Sequence, residues 1–319
     1  MNRARLLQKF NGTLSGIIGE DLPVLKQVKK FVIESGGKRI RPMTHYYFAK
    51  ILDYSGNEWA DVGAIGELIH AASLLHDDVV DEAGLRRGRP TMNAKFGNKS
   101  SILSGDYLLA CGLDHLRTLS IYGRLLPIFT NVLRELSIGK LLQMQYESDL
   151  KIPDRAYERI IQCKTGSLFG AMTESAGALK NLSESEAKKY REFGEKMGRI
   201  FQVRDDFIDY FGDSSSNGKS LYQDFKRGIV TAPIIILRKS LGSKEKKELL
   251  RLWKSPEERA NSRGLDNFRT MIDRHEVRKA LALDIENSIH SLMHFVRSHR
   301  PTEEREEVLN SLRTLMVEA

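Results

Sequence analysis

Apolar residues recur at spacings of three and four along almost the whole chain, and the alternating pattern of a β-strand is nearly absent. The stretch that follows Asn57 shows the helical pattern best, with an apolar stripe made of Val62, Ile65, Ile69, Ala72, Leu75 and Val79. The pattern predicts a helix that Asn57 caps and that ends near Gly84. Residues 100–150 predict two further long helices, with interruptions at Gly105-Asp106 and at Pro127. The chain is predicted to be all-α.

The predicted helices continue to the end of the chain without a linker long enough to divide it. The eight prolines lie mainly at predicted joints, and Ser214–Gly218 has the composition of a loop. We therefore predict a single domain over residues 1–319. Chemical motifs lie within about 36–233, and the charged amphipathic helices from Lys239 onward are interpreted as scaffold.

One predicted helix ends in an acidic cluster, His76-Asp77-Asp78-Val79-Val80-Asp81-Glu82, with Arg86 and Arg87 just behind it. In a helix Asp77 and Asp81 share a face, about 6 Å apart along the axis. Mg²⁺ binds one or two carboxylates together with water and substrate phosphates, so this spacing suits it. Taken alone, the cluster is better explained as a solvated acidic helix end.

A second cluster, Arg204-Asp205-Asp206-Phe207-Ile208-Asp209, repeats the spacing 128 residues later (205 minus 77). Each cluster lies in an apolar helical pattern and is followed by basic residues. Two helices that both carry three aspartates need metal ions or cations to offset their charge. The pair therefore indicates a metal-dependent site where one copy would not.

Two other stretches are candidates for binding phosphate. Gly36-Gly37-Lys38-Arg39-Ile40-Arg41-Pro42 combines flexible glycines and three cations with a helix start, which suits a diphosphate, although a solvated basic loop is an equal alternative. Lys164 and Thr165 lie in an apolar stretch rich in small residues, where a buried polar site and a lysine that reaches the surface are both open.

Composition narrows the class of partner. The 319 residues carry a net charge of +8, which favours anionic partners, yet no basic run or motif typical of nucleic-acid binding occurs. Phosphorylated small molecules fit, and contact with an anionic lipid surface stays open. Two cysteines, no signal-peptide pattern and no apolar run that could span a bilayer favour a cytoplasmic protein without a transmembrane segment.

Four motifs together, GGKRIRP (36–42), HDDVVDEAGLRRG (76–88), KTGSLFG (164–170) and FQVRDDFIDY (201–210), resemble those of trans-isoprenyl diphosphate synthases, the polyprenyl synthetase family, of the long-chain octaprenyl or solanesyl type. The resemblance covers about Gly36 to Pro233. It implies a single-domain, all-α isoprenoid-synthase bundle around a deep central cavity. Its activity would be repeated Mg²⁺-dependent condensation of an allylic diphosphate, such as farnesyl or geranyl diphosphate, with isopentenyl diphosphate.

The resemblance also implies roles for individual residues. Three Mg²⁺ ions, held by Asp77, Asp81 and Asp205, would bridge the allylic diphosphate. That diphosphate would also be held by Arg86, Lys164 and Lys219, with Thr165 and Gln202 beside it. The isopentenyl diphosphate site would be formed by Lys38, Arg41, His70 and Arg87. Such enzymes are commonly homodimers. Fixed cations would stabilise the charge that grows on the leaving diphosphate, and exclusion of water would protect the allyl cation.

Product length is expected to depend on Ala72 and Ser73, one turn before the first aspartates. Both are small, which leaves a path for a long product, so Ala72→Phe is expected to shorten it. One stretch departs from the family: residues 218–233 read GKSLYQDFKRGIVTAP, with Ile229 at a usual lysine and Tyr222 at a usual glycine. This departure keeps open a weakly active or non-catalytic subunit of a heteromeric synthase. A synthase of shorter products is also open.

Overall fold

The structure, a computed structural model, describes residues 3–19, 22–34, 39–86, 88–212 and 221–317. Within these ranges all regular secondary structure is helical except one antiparallel pair of two-residue strands, which confirms the all-α prediction. No helix in the same ranges combines the length and apolar character needed to cross a membrane. In chain order the elements are α1 (Arg3–Ile17), α2 (Pro23–Glu34), α3 (Ile40–Ile51), α4 (Trp59–Val80), β1 (Leu85–Arg86), β2 (Arg89–Pro90), α5 (Met92–Phe96), α6 (Asn98–Leu116), α7 (Tyr122–Gln145), α8 (Asp154–Ile161), a π-helical turn (Gln162–Gly166), α9 (Ser167–Leu179), α10 (Glu184–Phe211), α11 (Gln223–Arg227), α12 (Ala232–Ser240), α13 (Ser243–Lys254), α14 (Pro256–Ala260), α15 (Ser262–Arg274), α16 (Val277–Arg297) and α17 (Glu303–Arg313).

The helices form two compact units, each discontinuous in the chain. Unit 1 comprises Met1–Arg134, Leu168–Gly194 and Thr302–Arg305, and unit 2 comprises Glu135–Ser167, Glu195–Pro301 and Glu306–Ala319. The single domain with a central cavity stays a prediction.

Unit 1 is built around α4. Between Trp59 and Ile69 every residue of this helix except Asp61 is buried, so burial extends around the whole helix rather than along the predicted stripe. Helices α1, α3 and α6 pack against it. A helix that is apolar on all sides must be surrounded by protein, which explains why α4 is central to unit 1.

The two ends of α4 differ from the prediction. Asn57 does not cap the helix, because its side-chain oxygen accepts a hydrogen bond from Lys9 Nζ at 2.7 Å, and Glu58 precedes the first helical residue. The helix ends at Val80 rather than near Gly84. Glu82 has a left-handed φ of 50°, and the Ala83 amide turns back to donate to the Asp78 carbonyl at 2.9 Å. This closure follows the pattern that ends many helices, with glutamate where glycine is usual.

Neither Gly105 nor Pro127 interrupts its helix, contrary to the prediction. Gly105 lies inside α6, where a Cβ would stand 2.3 Å from His76 Nε2, so the missing side chain makes room for α4. Pro127 lies in the second turn of α7, where it removes one backbone hydrogen bond without ending the helix. Both long helices predicted for residues 100–150 are confirmed as α6 and α7.

Unit 2 contains an aromatic cluster formed by Tyr210, Tyr222, Phe225, Trp253 and Phe268. The rings of Phe225 and Phe268 are stacked with centroids 3.8 Å apart, and the other three rings meet this pair edge-on. Aromatic pairs with such geometry stabilise beyond the area they bury. The cluster joins the end of α10 and α11 to α13 and α15, so the helices interpreted as scaffold hold the segment that follows the second aspartate motif.

A histidine without solvent exposure gives unit 1 a pH-dependent stability. His45 on α3 donates from Nδ1 to the Met172 carbonyl at 2.8 Å, and burial lowers its pKa to about 4. The unfolded histidine titrates near its ordinary pKa of about 6.5. Between these values the unfolded chain binds a proton that the folded chain does not, so stability falls as pH decreases from about 6.5 toward 4.

We expect His45→Asn to remove this pH dependence, because the asparagine amide can keep the bond to Met172 but does not titrate. The variant should be less stable near neutral pH, since the shorter side chain leaves a cavity. The stability advantage of the wild type should shrink by up to about 3 kcal/mol between pH 7 and pH 4.5. Urea unfolding of both proteins across this range measures it, and a constant difference would contradict the account.

Candidate active site

The first aspartate motif lies at the end of α4, with Asp77 and Asp81 on one face as predicted. The Asp81 amide donates to the Asp77 carbonyl at 2.8 Å, so the helical spacing extends through both residues. Asp77 is half-buried and Asp81 is exposed. Together with His70 and Ser73, both half-buried, they form a line along α4 at spacings of three, four and four residues.

Asp78, between them, is buried and binds Arg86. The side chain of Asp78 is 1% exposed, and its carboxylate accepts from Arg86 Nη2 at 2.7 Å and Nε at 3.0 Å. Such a two-point ion pair is the arrangement that arginine forms best with a carboxylate. Arg86, on β1, keeps a third of its side chain exposed beside the motif. Arg86 therefore neutralises the central carboxylate, and the ion pair holds Arg86 against the aspartate motif.

The described part of the predicted isopentenyl diphosphate site also lies in unit 1. Arg41 Nη1 lies 3.3 Å from His70 Nε2, and its guanidinium stacks over the Phe169 ring at 4.6 Å. Because arginine can only donate, Nε2 of His70 is the acceptor in this contact. Arg41 and His70 are thus brought together on α3 and α4, as the prediction requires.

Arg39, one of the three cations in the Gly36–Pro42 stretch, makes contacts inside the protein. It is 7% exposed and forms an ion pair with the buried Glu67 of α4. It also donates to the Val32 carbonyl at 2.8 Å and the Ile33 carbonyl at 3.1 Å. Arg39 therefore links α2 to α4, and its buried guanidinium is not exposed to a ligand. The lone Glu67 in an apolar helix was the signal in the sequence, since a buried carboxylate needs a partner.

Three predicted site residues, Lys38, Arg87 and Lys219, lie outside the described residues.

Lys164 and Thr165 lie in the π-helical turn between α8 and α9. Thr165 is buried, Lys164 is half-buried, and Lys164 Nζ donates to Gln143 Oε1. The turn packs closely on α7, because a Cβ at Gly139 would stand 2.8 Å from Lys164 Cγ. Such π-turns occur often at functional sites. Gln143 of α7 is the residue that orients Lys164.

A hydrogen-bond chain within unit 2 links Thr165 to the second aspartate motif. Thr165 Oγ1 donates to Gln202 Oε1 at 3.0 Å, and Gln202 Nε2 donates to Asp206 Oδ1 at 3.0 Å. The other carboxylate oxygen of Asp206 accepts from Tyr157 Oη at 3.0 Å and from the Ala232 amide at 3.1 Å. Burial raises the pKa of Asp206 to about 6, although these donors act in the opposite direction.

The outer aspartates of the second motif also have separate tasks. Asp205 is exposed. Asp209 accepts from the amides of Gln223 at 3.2 Å and Asp224 at 3.0 Å, so it caps the first turn of α11. Within the described residues, no group of three or more His, Cys, Asp or Glu side chains could hold a metal ion by itself.

The two residues expected to control product length lie in different surroundings. Ala72 is 0% exposed and belongs to the hydrophobic core formed with residues of α1, α2 and α6. Ser73 is half-buried on the line of His70 and Asp77, and its hydroxyl donates to the His70 carbonyl at 2.8 Å. An aromatic side chain at position 72 would enter this core and overpack it. A shorter product from Ala72→Phe would therefore not distinguish a blocked substrate path from disturbed packing.

Comparison with known proteins agrees with the fold and the motifs. The family described as polyprenyl synthetase matches residues 22–265. Octaprenyl diphosphate synthase of Escherichia coli is 34% identical over 225 residues, which are 70% of this chain and 69% of that protein. The geranyl-diphosphate-specific all-trans-nonaprenyl-diphosphate synthase of Rhodobacter capsulatus is 36% identical over 235 residues, 73% of this chain and 71% of that protein.

Among solved structures, a decaprenyl diphosphate synthase from Rhodobacter capsulatus superposes with a TM-score of 0.88 at 28% identity, covering 98% of this chain and 95% of that one. The fold and the motifs define an all-α prenyltransferase. The chain belongs to the polyprenyl synthetase family.

We expect Tyr157→Phe to destabilise the protein by about 1–2 kcal/mol, because it removes one donor to the buried Asp206 carboxylate. Urea unfolding measures the change. Tyr146→Phe is the matched control, since the Tyr146 hydroxyl makes no hydrogen bond within the described residues. Equal effects of the two substitutions would contradict a role for Tyr157 in holding Asp206.

Proposed function

We propose that the chain condenses an allylic diphosphate with isopentenyl diphosphate in repeated 1′-4 additions and releases a long-chain all-trans polyprenyl diphosphate. Family membership and the names of the octaprenyl and nonaprenyl synthases it resembles support this reaction. The observation that supports this proposal most strongly is that the aspartates within each motif differ in burial and in their bonds to the protein. Asp78 and Asp206 are buried and bonded to protein, whereas Asp81 and Asp205 are exposed.

The donor set fits Mg²⁺, a hard cation that prefers oxygen ligands and commonly takes one or two carboxylates plus substrate phosphates. We propose that Asp77 and Asp81 bind two ions and Asp205 a third. When bound, the metal would neutralise charge on the departing diphosphate. In unit 1 the ion pair between Asp78 and Arg86 fixes the end of α4, which holds the Asp77 and Asp81 carboxylates in position.

The basic residues divide between the two substrates. Arg41 and His70, which contact each other, are proposed to bind isopentenyl diphosphate together with Lys38 and Arg87. Arg86, Lys164 and Lys219 are proposed to hold the allylic diphosphate. Gln143 and Gln202 orient Lys164 and Thr165 through the hydrogen bonds described above. Cations fixed in this way stabilise leaving-group charge without reorganising during the reaction.

The segment that departs from the family retains a cation. Ile229 occupies the usual lysine position, and Lys226 Nζ donates to the Leu221 carbonyl at 3.3 Å. Arg227, at the end of α11, is exposed. We propose that Arg227 supplies positive charge that the usual lysine would bring, so Ile229 slows the reaction without abolishing it.

A homodimer is part of the proposal. Leu103 on α6 is 67% exposed, and Leu141 on α7 is 65% exposed. Large exposed apolar side chains gain free energy when a partner covers them. We propose that a second copy of the chain does so.

The reaction is tested with purified protein, Mg²⁺, farnesyl diphosphate and isopentenyl diphosphate, with products identified by mass. We expect Asp81→Asn to lower the rate by on the order of 100-fold or more. The substitution removes a carboxylate that is proposed to bind Mg²⁺, and the metal would stabilise the charge on the departing diphosphate. Glu82→Gln is the matched control, since it removes the same charge at the next exposed residue, and its rate should change by less than about threefold. Absence of product from the wild type, or equal losses in both variants, would refute the proposal.

Product length is proposed to depend on Ser73 more than on Ala72. We expect Ser73→Phe to shorten the product while leaving stability nearly unchanged, because Ser73 lies half-exposed on the line of Asp77. Ala72→Phe should instead cost about 1–3 kcal/mol of stability through overpacking. Product mass and urea unfolding of the two variants separate these effects. An unchanged product from a folded Ser73→Phe variant would contradict the role of Ser73.

A further inference from the structure

Unit 2 contains a cavity of about 370 Å³ that the proposed reaction does not use. It lies among the segment before α8, the end of α12, and α13. Its apolar walls are leucines, namely Leu150, Leu241, Leu249 and Leu250. Leu241 and Leu249 are buried, whereas Leu150 and Leu250 are half-buried, so the wall is continuous with the core of unit 2 and open to solvent. The volume lies within the range of small-molecule binding sites.

Four cations line the same cavity. Arg238 and Lys239 share one carboxylate, Asp154, with Lys239 Nζ at 2.7 Å from Asp154 Oδ2. The bonds from Lys239 and Arg238 lower the pKa of Asp154, so this group stays ionised. Lys151 and Lys246 are exposed, and their ammonium groups make no ion pair in the part of the chain that the structure describes. The lining residues carry four cations and no carboxylate, and Asp154, together with Asp149, which accepts from the Lys151 amide at 2.8 Å, offsets only part of this charge.

Arg238 also explains why the cavity keeps its form. Its Nη1 donates to the Leu150 carbonyl at 3.0 Å and to the Ile152 carbonyl. These bonds tie the segment that carries Leu150 and Lys151 to the end of α12. The cavity is therefore a preformed feature of unit 2, held by hydrogen bonds that do not involve Lys151 or Lys246.

We propose that this cavity is a docking site for an anionic membrane surface, in which a phospholipid places its phosphate head among the cations and the start of its acyl chain against the leucines. Apolar walls next to unpaired lysines match an amphiphile, because each part of the ligand meets surface of complementary character. Lysines near an anionic bilayer each strengthen binding measurably, and the effect is screened by salt.

The apolar walls favour this occupant over a small soluble anion. Inorganic phosphate or diphosphate would gain from the four cations but nothing from the leucines. The net charge of +8 also draws the whole chain toward an anionic surface, and the cavity provides a defined point of contact. The inference is independent of the proposed reaction, because lipid binding is measured without substrate or Mg²⁺.

The test is co-sedimentation of the full chain with vesicles. We expect binding to vesicles that contain phosphatidylglycerol, weakening as salt increases, and little binding to vesicles of phosphatidylcholine alone. The double substitution Lys151→Gln with Lys246→Gln should weaken binding about 30-fold. The matched control is Lys188→Gln with Lys189→Gln, which removes the same charge from two exposed lysines of α10 and should change binding by less than about threefold.

Leu250→Ser tests the apolar wall. It should weaken vesicle binding at least about fivefold, because half-buried Leu250 would lose its contact with the acyl chain. Urea unfolding of each variant shows whether the protein remains folded. The proposal is overturned if phosphatidylglycerol vesicles do not bind, if both lysine pairs have equal effects, or if Leu250→Ser binds like the wild type. It is also overturned if inorganic diphosphate releases the protein from the vesicles when it supplies the same concentration of negative charge as the phosphatidylglycerol. That result would indicate a site for a soluble anion.

Discussion

The site depends on a single electrostatic constraint, which is that three carboxylates within five residues cannot all remain charged and unsatisfied. Removing one carboxylate from water without a partner costs several kcal/mol. The two motifs meet this cost differently. Asp78 receives a two-point ion pair from Arg86, while Asp206 receives three neutral donors and a pKa of about 6. In both motifs the central aspartate becomes part of the framework, and charge is concentrated on its exposed neighbours.

What the sequence could predict was mainly local. Helical periodicity and the four-residue spacing of aspartates are properties of a single helix, so the all-α class and the shared face of Asp77 and Asp81 were predictable. The partners of the central aspartates were not, because Tyr157 and Ala232 are far from Asp206 in the chain and only folding brings them together. The same holds for Gly105, whose lack of a side chain is needed by His76 of another helix.

The departure after the second motif illustrates how tertiary contacts override a local rule. Tyr222, at a usual glycine position, has a left-handed φ of 63°, a conformation that costs a residue with a side chain about 1–2 kcal/mol. Its ring lies in the aromatic cluster, and Arg269 stacks over it at 4.9 Å. Burial of an aromatic ring is worth about as much as this strain. Tyr222 therefore keeps the left-handed backbone conformation that glycine adopts most easily. Asp209 caps α11, the helix that follows.

In the proposed reaction, the geometry of α4 would link binding of the diphosphate to the length of the product. His70, Ser73, Asp77 and Asp81 are spaced by three, four and four residues and are at least partly exposed, whereas Leu68, Ala72 and Leu75 are completely buried. Residues spaced by three and four lie along one side of a helix. A product that grows from a diphosphate bound at Asp77 would therefore pass Ser73 and not Ala72. Under this proposal the two adjacent positions would have different roles, because they differ by about 100° around the helix. The small side chain of Ser73 would then be a feature of the proposed substrate path, whereas the small side chain of Ala72 is a requirement of packing in the core.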